Sequence, residues 1–195
     1  FKETPLPCAT NHRGNVMQNN SPFHLGEQQA QKRWDTSATW DTDRQKQLLW
    51  QAIPPALQSR IKAAPFFFLA TSDNEGRCDC SFKGGGQGII HLIDDTRFAF
   101  PDFNGNGAFM SLGNILVNPQ VGCLFIDFSD GGRLRINGRA EIIEGNEAKA
   151  MFADADRVVV ISIEQVIPNC NAHIPRLNLE QNNLDQDNQK PKDPA

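Results

Sequence analysis

A glycine-rich run at residues 83–88 is the first place where this sequence could bind a ligand. Its order is Lys-Gly-Gly-Gly-Gln-Gly, so backbone amides and the Lys83 ammonium could approach an anion together. The phosphate loop of nucleotide hydrolases places its lysine after the glycines, in the order Gly-x-x-x-x-Gly-Lys-Ser/Thr. Because the lysine comes first here, the sequence does not predict nucleotide hydrolysis. A flexible loop between two strands is the alternative interpretation.

A second glycine-rich turn, Asn-Gly-Asn-Gly at residues 104–107, precedes a predicted helix that begins near Phe109. Such a turn exposes unpaired backbone N–H groups and the positive end of the helix dipole. Ser111 and Asn114 lie on the first turns of this helix and could add donors. The pattern predicts an anion-binding turn, and simple capping of the helix is the alternative.

Familiar catalytic patterns are missing from the sequence. It contains neither a Gly-x-Ser-x-Gly elbow nor a His-Glu-x-x-His motif, and no Ser-His-Asp or Cys-His set is indicated. The acidic pairs Asp94/Asp95 and Asp127/Asp130 fall at predicted turns, where solvated carboxylates are expected. With no tyrosine and no basic stripe, the chain also lacks the pattern of single-stranded nucleic-acid binding.

The cysteines are odd in number and scattered, which is typical of a reduced, cytoplasmic protein with free thiols. There are five of them: Cys8, Cys78, Cys80, Cys123 and Cys170. Cys78 and Cys80 share one face of a predicted strand, and we expect both to be buried and inert. The four histidines show no i,i+4 pair and no zinc-finger spacing, so no structural metal site is predicted.

Composition indicates a folded globular chain. Its 195 residues include 19 Lys+Arg and 23 Asp+Glu, a net charge of −4, with 39% hydrophobic and 22% charged residues. The mild acidity argues against a general surface for nucleic acid or anionic membranes. No apolar run approaches the length of a membrane span.

The predicted elements divide the chain into an N-terminal arm with helices at 1–63, a body at 64–177 and a mobile tail at 178–195. Helices are predicted near 27–34 and over 43–63, the latter broken by Pro54 and Pro55. About seven short strands follow, with helices among them that begin near 109 and 145. The strands are predicted at 66–71, 77–82, 89–93, 97–101, 121–128, 133–143 and 158–167. This order favours a barrel or a sandwich over a doubly wound sheet.

A family resemblance rests on segments of the body in a particular order. They are residues 68–77 (FLATSDxxGR), 81–85 (SFKGG), 100–106 (FPDFxGN), 111–122 (SLGNILxNPxVG) and 134–140 (LRINGRA). In order and spacing they resemble the pyridoxamine 5′-phosphate oxidase-related proteins over about residues 64–176. Residues 22–27 (PFHxGE) and 170–176 (CxxHIPR) are similar to a branch of that family other than the vitamin B6 enzyme itself.

This resemblance implies a mainly β fold: an FMN-binding split β-barrel of Greek-key type with short helices and an N-terminal helical arm. It also implies a homodimer with two FMN molecules in clefts between the subunits. The chain also has more large aromatic residues than the core of one small barrel needs, which favours the same assembly. These residues are Phe66, Phe67, Phe68, Phe125 and Phe128.

The family's flavin-binding segments can be carried onto this chain residue by residue. The strand that ends at Lys83 and the loop at Pro101 and Asp102 would wrap the flavin, and the following loop and helix would hold its phosphate. The cofactor residues that the resemblance implies are Ser81, Phe82, Lys83, Pro101, Asp102, Asn106, Ser111 and Asn114. His173 and Arg176 would lie in the substrate or cross-subunit cleft.

One departure from the family bears on function. The B6 oxidases place an Arg-Lys pair in the phosphate loop, whereas Asn106, Gly107 and Ala108 stand here. Phosphate binding would depend on Lys83, Ser111, Asn114 and backbone amides, and pyridoxamine phosphate oxidation is not carried over. Three functions remain open: a flavin-dependent oxidoreductase, which the sequence favours, a non-enzymatic flavin- or haem-binding dimer, and a cofactor-free scaffold.

Overall fold

The computed structural model describes residues 21–103, 105–169 and 174–177. The predicted tail at 178–195 and most of the predicted loose arm lie outside the described residues, as does His173. The chain divides into two compact units, the first ending at Asp41 and the second beginning at Thr42. They are described separately below.

The first unit contains a capped helix, α1 (Leu25–Arg33), close to the predicted 27–34. His24 caps it, because its Nδ1 accepts a hydrogen bond from the Gly26 N–H at 3.1 Å, and the Glu27 carboxylate accepts one from the His24 N–H at 2.9 Å. A 3₁₀ turn, Ser37–Trp40, follows. The Trp40 ring packs edge-on against Phe23 at 5.3 Å, which holds this turn within the unit.

Two helices, α2 (Thr42–Leu48) and α3 (Pro55–Lys62), open the second unit. The predicted break at Pro54 and Pro55 is confirmed, but α2 ends several residues earlier than predicted. Trp50 leaves the helical path because its N–H and C=O pair with the backbone of Val166, at 3.0 and 2.7 Å. None of the helices in the described part of the chain is long and apolar enough to cross a membrane.

The body is a seven-stranded antiparallel sheet with the order β2-β1-β5-β6-β7-β4-β3. The strands are β1 (Phe66–Ser72), β2 (Cys78–Gly84), β3 (His91–Leu92), β4 (Arg97–Asp102), β5 (Gln120–Ile126), β6 (Arg133–Glu144) and β7 (Arg157–Asn169). Helices α4 (Met110–Val117) and α5 (Gly145–Met151) connect β4 to β5 and β6 to β7. The predicted mainly β class is confirmed.

Aromatic packing shows that this sheet curls around one core. Phe67 of β1 lies edge-on to Phe100 of β4, with ring centres 5.0 Å apart, and it stacks on Phe125 of β5 at 5.1 Å. Three strands separate β1 from β4 in the sheet order, so the two meet only across the interior. Phe67 and Phe100 are fully buried. This is the split barrel that the sequence predicts, with the ends of the sheet facing each other through side chains.

Two local features differ from a regular ladder. The strand predicted at 89–93 is reduced to His91–Leu92, because Ile89 and Ile90 fill the core without pairing to a neighbouring strand. Strand β6 has a bulge at Asn137/Gly138, where a Cβ on Gly138 would collide with the carbonyl oxygen of Ser162. The Asn-Gly step in the 134–140 segment therefore has a structural role.

Candidate functional site

The edge strand β2 sorts its side chains onto two faces. Asp79, Ser81 and Lys83 alternate on the half-buried face, whereas Cys78 and Cys80 are exposed on the other. The prediction that these two thiols are buried is wrong, because none of the described helices or strands packs over the face that they share. Cys123 is buried, and desolvation raises the pKa of its thiol. These three cysteines are free, as predicted.

Two adjoining cavities lie beside the half-buried face of β2. The strand cavity, of about 170 Å³, lies between β2 and the end of β4 and is lined by Phe82, Lys83, Pro101 and Asp102 among others. The loop cavity, of about 230 Å³, lies between β2 and the start of α4, where Ser81, Asn106 and Ser111 join Lys83 and Asp102. Lys83, Asp102 and Phe103 line both cavities. The fold therefore brings together all the residues of the predicted cofactor set except Asn114.

The remaining predicted residues lie elsewhere. Asn114 is not among the residues that line either cavity, and its Nδ2 donates to Thr71 Oγ1 at 3.0 Å, which ties α4 to β1. Arg176 is exposed, and its charge helps to lower the pKa of Asp130, after the larger effect of the hydrogen bond from Arg60. His173 lies outside the described residues, so a cleft role for His173 and Arg176 stays a prediction.

A chain of polar contacts joins β2 to α4 at the loop cavity. The Ser81 and Ser111 hydroxyls lie 2.9 Å apart, and the Ser111 hydroxyl is also 3.3 Å from a carboxylate oxygen of Asp79. Ser111 is buried, so these contacts satisfy a hydroxyl that water does not reach. They fix the first turn of α4 against the edge strand.

The loop before α4 is held in a sharp local conformation. Asn106 Oδ1 accepts a hydrogen bond from the Ala108 N–H at 3.0 Å. Gly107 and then Phe109 adopt positive φ angles of 75° and 47°. The left-handed region is strained for a bulky residue such as phenylalanine, and strain of this kind is concentrated at functional sites. The Phe109 ring lines the loop cavity and is about half exposed.

The charged side chains at and beside the loop cavity come from strands β2, β4 and β7. Lys83 forms no ion pair or side-chain hydrogen bond within the residues that the structure describes. Asp102 is paired with Arg157 of β7, whose Nε lies 3.2 Å from Asp102 Oδ2. The Arg157 guanidinium also lies over the Phe109 ring, 5.0 Å from its centre. Sequence reasoning missed Arg157, because only the β4–β7 register places it opposite Asp102.

A third cavity, of about 520 Å³, lies between α3 and the ends of β5, β6 and β7. None of the described residues of the predicted site lines it. Arg60 on its wall pairs with Asp127 at 3.1 Å and with Asp130, which fastens α3 to the β5–β6 turn. Within residues 21–103, 105–169 and 174–177, no three His, Cys, Asp or Glu side chains are grouped to hold a metal ion.

Comparison with known proteins places the second unit in a family. Residues 53–174 match the family model described as pyridoxamine 5′-phosphate oxidase. Among solved structures, a single-substitution variant of HupZ from Group A Streptococcus is similar with a TM-score of 0.50 and 22% identity. The similarity covers 60% of this chain and 99% of HupZ. No curated protein sequence matches the chain significantly.

Two further solved structures are similar at lower TM-scores. An FMN-binding protein from Syntrophomonas wolfei has 12% identity and a TM-score of 0.46, covering 74% of this chain and 97% of its own. The haem storage protein HutZ from Vibrio cholerae has 15% identity and a TM-score of 0.41, covering 60% and 97%. At these identities the structural similarities concern the fold alone, and the family rests on the match over residues 53–174. Together with the split barrel and the order of its segments, that match shows that the chain belongs to the pyridoxamine 5′-phosphate oxidase family.

Proposed function

We propose that this chain binds FMN across the strand and loop cavities and serves as a flavin-dependent oxidoreductase. The observation that carries the proposal is the position of Lys83, which lines both cavities and has no ion pair within the described chain. A cation left without a protein partner at a family ligand site is suited to an anionic group. The FMN phosphate provides one, with nearly two negative charges at neutral pH.

The aromatic side chains around Lys83 fit the other part of the cofactor. Phe103 and Phe109 are 53% and 49% exposed, although both are large apolar residues. Exposed apolar side chains beside a cavity are typical of ligand sites, and flat rings stack well on a planar ligand such as isoalloxazine. We infer that the phosphate lies near Lys83 and that these rings contact the flavin or its ribityl chain.

Two carboxylates at the loop cavity oppose an anion. Asp79 accepts a hydrogen bond from Ser111, and Asp102 is paired with Arg157. These partners reduce the repulsion of a phosphate but leave both negative charges close to it. FMN binding should therefore be salt-sensitive, because much of it depends on a small number of partly solvated charges.

Bound FMN would supply hydride and single-electron transfer. The chain's own task is then to bind and orient: Lys83 neutralises the phosphate, and the Ser81–Ser111 contact keeps α4 fixed beside it. Phe103, which lines both cavities, lies where it would contact a cofactor that spans them. The geometry does not single out an acid or base for a substrate, so the substrate class stays open.

We further propose that the protein is a homodimer, on the evidence of α4. Its inner side carries Leu112 and Ile115, which are buried, yet Met110, Leu116 and Val117 on the outer side are all more than half exposed. A helix that carries large apolar side chains on both its inner and its outer side is normally covered on both. We propose that a second copy of the chain covers the outer side of α4, because the family resemblance implies cofactor clefts between two subunits.

Reconstitution tests the proposal. The purified chain is freed of ligand and titrated with FMN and with riboflavin, and its visible spectrum is recorded before and after addition of NADH or NADPH. We expect saturable FMN binding that is tighter than riboflavin binding, with bleaching of the flavin on reduction. A haem Soret band in the purified protein would favour the haem-carrier alternative. Binding of neither flavin would favour the scaffold.

A further inference from the structure

Two exposed thiols lie next to each other on one face of the edge strand β2. Cys78 and Cys80 are both free and both exposed. Residues two positions apart in a strand share a face, and their Cα atoms are about 6.4–6.8 Å apart. Because β2 ends the sheet order, its neighbour among the described strands is β1 alone. The thiol pair is therefore open to solvent above the sheet and along one edge.

The residues that face the two thiols across the sheet are small and uncharged. In the β1–β2 register, Cys78 lies opposite Ser72 and Cys80 lies opposite Ala70. Gly122 of β5 is the partner of Ala70 on the next strand and has no side chain. Strands β1 and β5 thus place neither a carboxylate nor an imidazole beside the sulfurs. The two sulfurs are left as a pair of soft donors with space around them.

Strand geometry allows an ion to bridge this pair but does not allow a disulfide. A disulfide needs Cβ atoms about 3.5–4.5 Å apart, whereas parallel side chains on one strand keep about the spacing of their Cα atoms. An ion held by metal–sulfur bonds of about 2.3 Å each would fill the remaining gap. The Cys78 thiol contacts the Gly76 carbonyl oxygen at 3.5 Å, a weak contact that a metal bond would replace.

We propose that Cys78 and Cys80 bind one soft monovalent cation, Cu(I), between their sulfurs. Binding releases the two thiol protons to solvent and leaves the ion held by two thiolates, with no change of oxidation state. Thiolates select soft ions such as Cu(I) over hard ions such as Mg²⁺ or Ca²⁺.

The number of ligands favours Cu(I) over zinc, the other common ion of thiolate sites. Structural zinc sites have four protein ligands. Among the residues that the structure describes, no three His, Cys, Asp or Glu side chains are grouped to hold a metal ion. Cu(I), in contrast, is satisfied by two sulfur ligands in a line. The pair on β2 therefore supplies a complete set of ligands for Cu(I) and an incomplete one for zinc.

Anaerobic competition with a chromophoric Cu(I) chelator tests this site. The wild-type chain should withdraw one Cu(I) per chain. Cys78→Ser and Cys80→Ser should each weaken binding about a hundredfold or more, because each loses one of two thiolate ligands. The matched control is the double variant Cys8→Ser/Cys170→Ser, which removes the thiols outside the described residues and should bind as the wild type does. Thermal melts check that the exposed single substitutions leave the fold intact.

Four results would overturn the inference. They are a wild type that leaves Cu(I) with the chelator, a single serine variant of Cys78 or Cys80 that binds as tightly as the wild type, loss of binding in the double control variant, and one ion for every two chains. The inference does not rest on the FMN proposal, because the thiols lie on the face of β2 opposite to Lys83. A chain that withdraws Cu(I) but binds no flavin would support this site and refute the FMN proposal.

Discussion

The hydroxyls of Ser81 and Ser111 lie 2.9 Å apart and join the edge strand β2 to the first turn of α4. These two residues are thirty positions apart in the chain and belong to the two segments that line the loop cavity. The contact links the fold to the site, because it fixes the distance between Lys83 on β2 and the loop before α4.

Replacement of Ser111 by alanine should lower the free energy of unfolding by about 1–2 kcal/mol, since it removes a buried hydroxyl and leaves the half-buried Ser81 and Asp79 each without that partner. Urea denaturation measures this loss. The matched control is Ser162→Ala, at an exposed serine of β7, which should change stability by less than about 0.5 kcal/mol. Equal effects of the two substitutions would contradict a specific role for the Ser81–Ser111 contact.

Replacement of Lys83 by alanine should weaken FMN binding by about 1.5–3 kcal/mol, or one to two decades in Kd, because the phosphate loses a charge-assisted hydrogen bond. Riboflavin, which has no phosphate, should be affected much less. Fluorescence titration of both flavins into the ligand-free protein provides the measurement. Lys62→Ala, at an exposed lysine of α3, serves as the control. Parallel changes for the two flavins would rule out contact between Lys83 and the phosphate.

Replacement of Leu116 by glutamate should convert the proposed dimer into a monomer, because it places a charge in the exposed apolar side of α4. Sedimentation velocity at micromolar concentration follows the change. Gln120→Glu, at an exposed residue of β5, adds the same charge outside α4 and should leave the dimer intact. A wild-type protein that sediments as a stable monomer would refute the assembly itself.

Acid should weaken the turn between β3 and β4. Hydrogen bonds from Thr96 and then Arg97 lower the pKa of Asp94 to about 2, below its ordinary value of about 3.9. A carboxylate whose pKa is lower in the folded state stabilises the fold above about pH 4 and loses that contribution as the pH falls towards 2.

Thermal melts between pH 5 and pH 2 test this effect. The difference in Tm between wild type and Asp94→Asn should shrink over this range, because the wild type loses what the variant already lacks. Asp154→Asn, at an exposed turn, is the control and should keep a constant difference from wild type. If the difference in Tm between wild type and Asp94→Asn stays constant down to pH 2, the charge of Asp94 contributes nothing to stability.

The strands could be predicted from the sequence because each is bounded by a local signal. Runs such as 66–72 and 133–144 alternate or are rich in β-branched and aromatic residues, and glycine or aspartate turns separate them. The end of α2 at Leu48 could not be predicted, because a distant partner, Val166, draws Trp50 out of the helix. Tertiary pairing therefore overrides local periodicity there.

Only the local part of the site could be predicted, namely the side chains that one strand or one loop brings together. Alternation places Cys78 and Cys80 on one face of β2 and Ser81 and Lys83 on the other, but it does not say which face is covered. That depends on α4, which packs against the face of Asp79 and Ser81 through Ser111. Arg157 is fifty-five positions from Asp102, and only the strand register shows that they meet.

The conformation of Phe109 has a consequence for engineering the protein. Glycine adopts a φ of 47° without steric cost and is also accepted as a helix N-cap, so Phe109→Gly would remove backbone strain just before α4. The same substitution would remove the ring beneath the Arg157 guanidinium. At this one position, a gain in thermal tolerance is therefore coupled to the loss of a ring that lines the loop cavity.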